Sequence, residues 1–109
     1  MIENLILIQL ISVIFIIIGA ILNIMVVRLN KGRMPVLLPV SHFSMYSPLD
    51  DKRHKIVDYK NRKKIKLWWL SDIIEIKLLG GKMRVLSFGD IIIYLGLGGW
   101  FISLILSFY

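Results

Sequence analysis

The chain has 109 residues, 57% of them hydrophobic, and carries 14 Lys and Arg against 7 Asp and Glu, a net charge of +7. That apolar share exceeds the about 45 to 50% of an ordinary soluble domain, and the lack of cysteine excludes a disulfide scaffold, a thiolate metal centre and a thiol nucleophile. All the basic residues lie between Arg28 and Arg84, and outside that segment the only charges are Glu3 and Asp90. This is the charge distribution of a membrane protein with one basic loop.

In chain order, the first span covers Leu5 to Val27. At about 1.5 Å per residue it reaches about 34 Å, enough for a hydrocarbon core of about 30 Å with some tilt. Its start carries Glu3 and no Lys or Arg, unlike a cleaved signal peptide, so it reads as a permanent transmembrane helix. Gln9, Ser12, Ile16, Gly19 and Asn23 recur at three- and four-residue steps and share one face, with Ala20 beside them. That face is expected to pack on the second span, with amides bonding across the helices.

Residues 28–88 read as a basic cytoplasmic and interfacial loop. Arg28 to Lys31 end the helix with cations at the interface, and Gly32, Pro35 and Pro39 forbid its continuation. The apolar passage Met34 to Val40 should then lie extended on the membrane surface. Ser47-Pro48-Leu49-Asp50 has the order of a helix start, and Asp51/Lys55 and Asp58/Arg62 stand four apart with the acid first, which predicts a short helix from Pro48 to about Lys60. The cations Lys60, Arg62, Lys63, Lys64 and Lys66 lead into Trp68 and Trp69, and this run is the candidate contact for anionic lipid headgroups. Ile74, Ile76 and Leu78 alternate with polar residues, as do Met83 and Val85 beyond Gly80-Gly81, which predicts a β-hairpin with a two-residue turn.

Residues 89–109 form the second span, its apolar stretch running from Ile91 to Tyr109. Ser87 or Asp90 can cap its start. Gly96, Gly99, Ser103 and Ser107 make a seam of small residues for close helix packing. The fold class is therefore a mainly α membrane protein, two transmembrane helices joined by a basic cytoplasmic loop with a short helix and a hairpin. The Lys/Arg bias places the loop in the cytoplasm and both termini outside.

The chemistry is thin. His42 and His54 have no Cys or paired Asp/Glu at ligand spacing, adjacent Asp50-Asp51 point about 100° apart on a helix, and Gly96-Leu97-Gly98-Gly99 lies inside a lipid-crossing helix and not in a phosphate loop. No catalytic group, metal or cofactor is expected, and tryptophans beside the basic run make lipid the anion it meets, not nucleic acid.

Three stretches in order, Asn30-Lys31-Gly32-Arg33-Met34-Pro35-Val36, Lys66-Leu67-Trp68-Trp69-Leu70-Ser71-Asp72-Ile73-Ile74 and Leu86-Ser87-Phe88-Gly89-Asp90-Ile91-Ile92-Ile93, resemble the signatures of a prokaryotic membrane-protein family, domain of unknown function 5317. The pattern, roughly N-x-G-[KR]-M-P-V, L-W-x-L-G-D-I-I-P and S-x-G-D-[IV], covers residues 30 to 93. The chain departs from it at Ser71, where the pattern has glycine, and at Glu75, where it has proline, and it is shorter at its start than the resemblance implies. No activity comes with the resemblance. It singles out Asn30, Gly32, Arg33, Met34, Pro35, Asp72, Gly89 and Asp90, and implies the cytoplasmic membrane of a prokaryote. Each motif cluster falls at the cytoplasmic membrane edge, where Arg33, Asp72 and Asp90 are expected to converge. The function these features suggest is an interaction or accessory subunit of a membrane complex, with a membrane-protein partner; the alternative is a self-assembling, holin-like pore built as a homo-oligomer.

Overall fold

The structure, a computed structural model, describes residues 2–45, 53–81 and 83–108. An apolar run without proline forms helix α1, Ile2–Leu29, about 42 Å long at about 1.5 Å per residue. It stops where Lys31 and Gly32 turn left-handed, at φ 61° and 82°. The Gly32 N–H returns to the Val27 carbonyl at 2.8 Å, and Asn30 Nδ2 donates to the Val26 carbonyl at 2.8 Å, so these two carbonyls of the last turn are satisfied. Helix α2 is Phe88–Ser107. Both helices are long and apolar enough to cross a membrane.

The two helices pack antiparallel along the expected seam. A Cβ on Gly19 would stand 2.5 Å from the Gly89 carbonyl oxygen, and one on Gly96 would stand 2.6 Å from that of Ser12, so glycine is what lets the backbones meet. Gly99 faces the Ser12 hydroxyl, while Gly98, one position away, faces open space. Ser12 and Ser103 are buried at this contact, but their hydroxyls donate within their own helices, to the Ile8 and Trp100 carbonyls at 2.8 and 2.6 Å. The cross-helix amide bonding falls to Asn23, described below. Gln9 is half-buried on the same side. Ser107 departs from the expected seam: it is exposed and bonds back to Leu104, because the helices no longer cover each other at that end.

Between the helices the chain folds into a small strand-containing domain. Strand β1, Met34–Leu38, is buried at every position, pairs in parallel with β2, His54–Asp58, and is bridged on its other side at Val36 to Asp72. Strands β3, Ile74–Lys77, and β4, Met83–Leu86, form an antiparallel hairpin. Val36, Leu38 and Val85 make one apolar core with Phe43, Ile56 and Met83 around it; Val26, Met34 and Leu70 make a second, which fastens the domain to the end of α1. Short 3₁₀ turns cover Val40–Met45, Tyr59–Lys64 and Trp68–Leu70.

Three local expectations change. The passage from Met34 does not lie on the membrane surface: it is the central strand, since its backbone groups find partners on both sides and its side chains a core. The helix expected from Pro48 to Lys60 is not formed where it is described; its first part lies outside the described residues, and His54–Asp58 is strand. There β-branched Ile56 and Val57 gain more from pairing with β1 than Asp58 and Arg62 gain from a helical ion pair of a few tenths of a kcal/mol. Asp58 instead caps the next turn, its Oδ1 accepting from Lys60 N–H at 3.1 Å. The hairpin is present, but its last pair is Lys77 with Met83 and Gly80 and Gly81 both have positive φ, so the connection is longer than a two-residue turn.

Candidate functional site

The polar groups of the chain gather where the domain meets the helix ends. At the start of α2 the Ser87 hydroxyl accepts from Asp90 N–H at 3.0 Å while Asp90 Oδ2 accepts from Ser87 N–H at 3.1 Å, a reciprocal cap of the free N–H groups. Its remaining valences reach α1. Asn23 Nδ2 donates to Asp90 Oδ1 at 2.9 Å, and Ser87 Oγ donates to Asn23 Oδ1 at 2.7 Å. Gly89 packs directly beneath the Asn23 side chain, where a Cβ would collide with it. The packing residue Asn23 and the capping pair Ser87/Asp90, read separately in the sequence, are thus one hydrogen-bonded ring that locks the two helices at this edge.

Asp72 lies beside that ring. Its backbone completes the sheet, N–H to the Pro35 carbonyl at 3.1 Å and carbonyl to the Leu37 N–H at 2.9 Å. Its side chain is only 6% exposed, and among the described residues Oδ1 has no hydrogen-bond partner. Burial first, and then the negative charge of Asp90, push the Asp72 carboxyl up to about 7, against an opposing pull from Arg84. Asp72 and Asp90 face a pocket of about 530 Å³ shared with Asn23, Met34, Arg53 and His54. A carboxyl in such a setting exchanges its proton near neutral pH and offers an acceptor to a cationic or hydrogen-donating group. No three His, Asp or Glu side chains gather as a metal-holding group among the described residues.

A second pocket, about 430 Å³, opens on the other face of the β1·β2 pair. Side chains alternate across a strand, and the register Met34↔His54, Pro35↔Lys55 sends Met34 and His54 to the acidic pocket and Pro35, Lys55 and Val57 to this one. Arg33 belongs to this basic side, its guanidinium donating to the His54 carbonyl at 2.8 Å. Of the three charges expected to converge, Asp72 and Asp90 share one pocket and Arg33 lines the other.

The motif positions therefore divide by face. Gly32, Met34, Asp72 and Asp90 border the acidic pocket; Asn30, Arg33 and Pro35 border the basic one; Gly89 makes the helix contact. Asn30 is a clamp: besides Val26 it donates to the Lys66 carbonyl at 2.9 Å and accepts from Lys66 N–H at 3.2 Å. The headgroup run is split. Arg62 lies over Tyr59 at 4.6 Å and Trp68 at 5.3 Å, and those rings meet edge to face, so Arg62 and Trp68 are half-buried in a stack of their own. Lys64 and Lys66 line the basic pocket, whereas Lys60, Lys63 and Trp69 are exposed outside it. The two departures from the motif differ: Glu75 Oε1 meets His42 Nδ1 at 2.9 Å, whereas Ser71 is fully buried in extended backbone that needs no glycine, and among the described residues its hydroxyl has no hydrogen-bond partner. The Asn23–Ser87 bond and the placing of Arg53 and His54 escaped the sequence, because partners far apart in the chain leave no periodic signal.

No curated protein and no solved structure matches the chain. A family model does match, over residues 4–102, nearly the whole length and including every motif position named above. The chain belongs to the family of unknown function DUF5317.

Proposed function

We propose that the protein is a two-span integral membrane protein whose cytoplasmic domain serves binding and assembly, as an interaction or accessory subunit of a membrane complex. The observation that carries this reading is the apolar surface left around the helix pair: Ile6, Leu10, Ile14, Phe15 and Ile21 of α1 and Leu95, Phe101 and Ile105 of α2 all face outward. A contiguous surface of that kind exceeds what a soluble monomer exposes and needs lipid or another apolar helix as its solvent. The confinement of Lys and Arg to residues 28–84 supports a cytoplasmic domain with both termini outside, in the cytoplasmic membrane. At the membrane edge, Ser87, Asp90 and Asn23 are spent on one another, which suits a scaffold that holds two helices and presents pockets. A pore lined by the polar seam draws no support from this packing, because Ser12, Gly96 and Asn23 turn toward the partner helix of the same chain.

Affinity purification of the tagged protein from native membranes in a mild detergent tests the reading. A foreign membrane protein recovered at fixed stoichiometry is the expected result; a homo-oligomer without a foreign partner would overturn it in favour of self-assembly.

A further inference from the structure

The basic pocket gathers cations from three separate segments. Lys31 comes from the turn after α1, Lys55 from the outer face of β2, and Lys64 and Lys66 from the stretch that Asn30 clamps to the helix end. Among the described residues that line it there is no carboxylate. Like charges brought together by folding repel, and the arrangement gains free energy when an anion enters. At the negative end of α1, which would oppose an anion, the Val26 and Val27 carbonyls are already occupied by Asn30 Nδ2 and Gly32 N–H. The volume of about 430 Å³ lies in the range of small-ligand pockets, and Leu29 and Ile65 add an apolar wall beside the lysines. Lysine ammonium groups serve phosphate as mobile point charges.

We propose that this pocket binds a phosphate-bearing anion, supplied either by the headgroup of an anionic lipid or as free phosphate. The lipid source rests on the membrane-spanning reading, since the pocket begins at Leu29, the last residue of α1, where such a helix would emerge among headgroups. The binding of phosphate itself does not rest on it.

The test uses the full-length protein in an uncharged detergent. Its lysines are acylated by an amine-reactive reagent and read by mass spectrometry after addition of phosphatidylglycerol, phosphatidylcholine or inorganic phosphate. Protection of Lys55, Lys64 and Lys66 relative to Lys60 and Lys63 by phosphatidylglycerol, but not by phosphatidylcholine, is the expected result and identifies a lipid headgroup. Protection of the same three by inorganic phosphate alone supports the site and identifies free phosphate as its source. Uniform protection, none, or protection by phosphatidylcholine overturns the proposal. Two variants of equal charge give a second reading by native mass spectrometry. Lys55→Gln/Lys64→Gln should weaken binding of the protecting anion about thirty-fold, taking each cation near an anionic surface at about 1 kcal/mol. Lys60→Gln/Lys63→Gln should cost only a few-fold, and equal losses would mean a diffuse surface effect and no site.

Discussion

Replacing Asp72 by Asn should remove most of the pH dependence of stability around neutrality. The carboxyl is raised to about 7 from an ordinary 3.8, chiefly by burial. Its folded form therefore holds a proton that the unfolded chain has released, and between these two values stability falls as pH rises. About three pH units at about 1.36 kcal/mol each give a loss of about 4 kcal/mol, complete above the folded value and absent below about pH 4. Asparagine carries no charge at any pH. At pH 8 Asp72→Asn should be more stable than the wild type by up to about 4 kcal/mol, the gain being reduced by whatever the new amide leaves unsatisfied, at about 1 to 3 kcal/mol. Below about pH 4 the titration contributes no difference, and only the cost of the new amide separates the two proteins. Unfolding in a mild detergent, followed by far-ultraviolet circular dichroism across this range, measures the difference; because the pair differs at one residue, titrating groups that do not feel the Asp72 charge cancel. The infrared carbonyl band of a protonated carboxyl, lost on Asp72→Asn, gives the titration directly. A carboxyl titrating near 4, or two parallel stability curves, would refute the claim that burial and Asp90 hold the proton on Asp72.

Other perturbations separate the remaining features. Gly96→Ala should destabilise the helix pair by about 1 to 3 kcal/mol, as overpacking does, whereas Gly98→Ala, facing open space, should cost nothing; cysteine-crosslinking yield between α1 and α2 compares them, and equal effects would misplace the seam. Asn23→Ala should cost about 1 to 3 kcal/mol by leaving the Ser87 hydroxyl and Asp90 Oδ1 without their partner, and a double-mutant cycle with Ser87→Ala should show coupling, its absence meaning that the ring is not cooperative. Single cysteines at Asn4 and Phe108 should react with an impermeant thiol reagent in intact cells and one at Lys60 should not; reaction at position 60 alone would invert the topology.

Both long helices, their seam and the hairpin were legible because each is written as a period: three- and four-residue recurrence from Gln9 to Asn23, four-residue recurrence of small residues in α2, and alternation around Gly80-Gly81. Strand β2 was hidden by Asp51/Lys55 and Asp58/Arg62, whose helical spacing is genuine but weak beside pairing with a strand about twenty residues earlier. Ser87 and Asp90 were readable as a cap because a cap is local. Their bond to Asn23 was not, since it spans 64 and 67 residues and depends on Gly19 and Gly89 bringing the backbones together. The same limit explains Arg33, which looked like a partner for Asp72 but lines the pocket on the Pro35 side while Asp72 lines the one on the Met34 side.

The junctions between domain and helices carry a mechanical consequence. Only Ser87 separates the end of β4 from α2, and only the turn from Asn30 to Arg33 separates α1 from β1. Neither exit contains a swivel, because Ser87 is held by three bonds in its ring and Asn30 by its clamp on Lys66. The hairpin acts as the short arm of a lever whose long arm is α2, so a torque applied to the domain is delivered to the crossing angle of the helices and not absorbed at the surface. An ångström of displacement at β4 is multiplied along the about 30 Å of that helix. Whatever occupies a pocket beside the sheet is in this way geared to the far end of the helix pair.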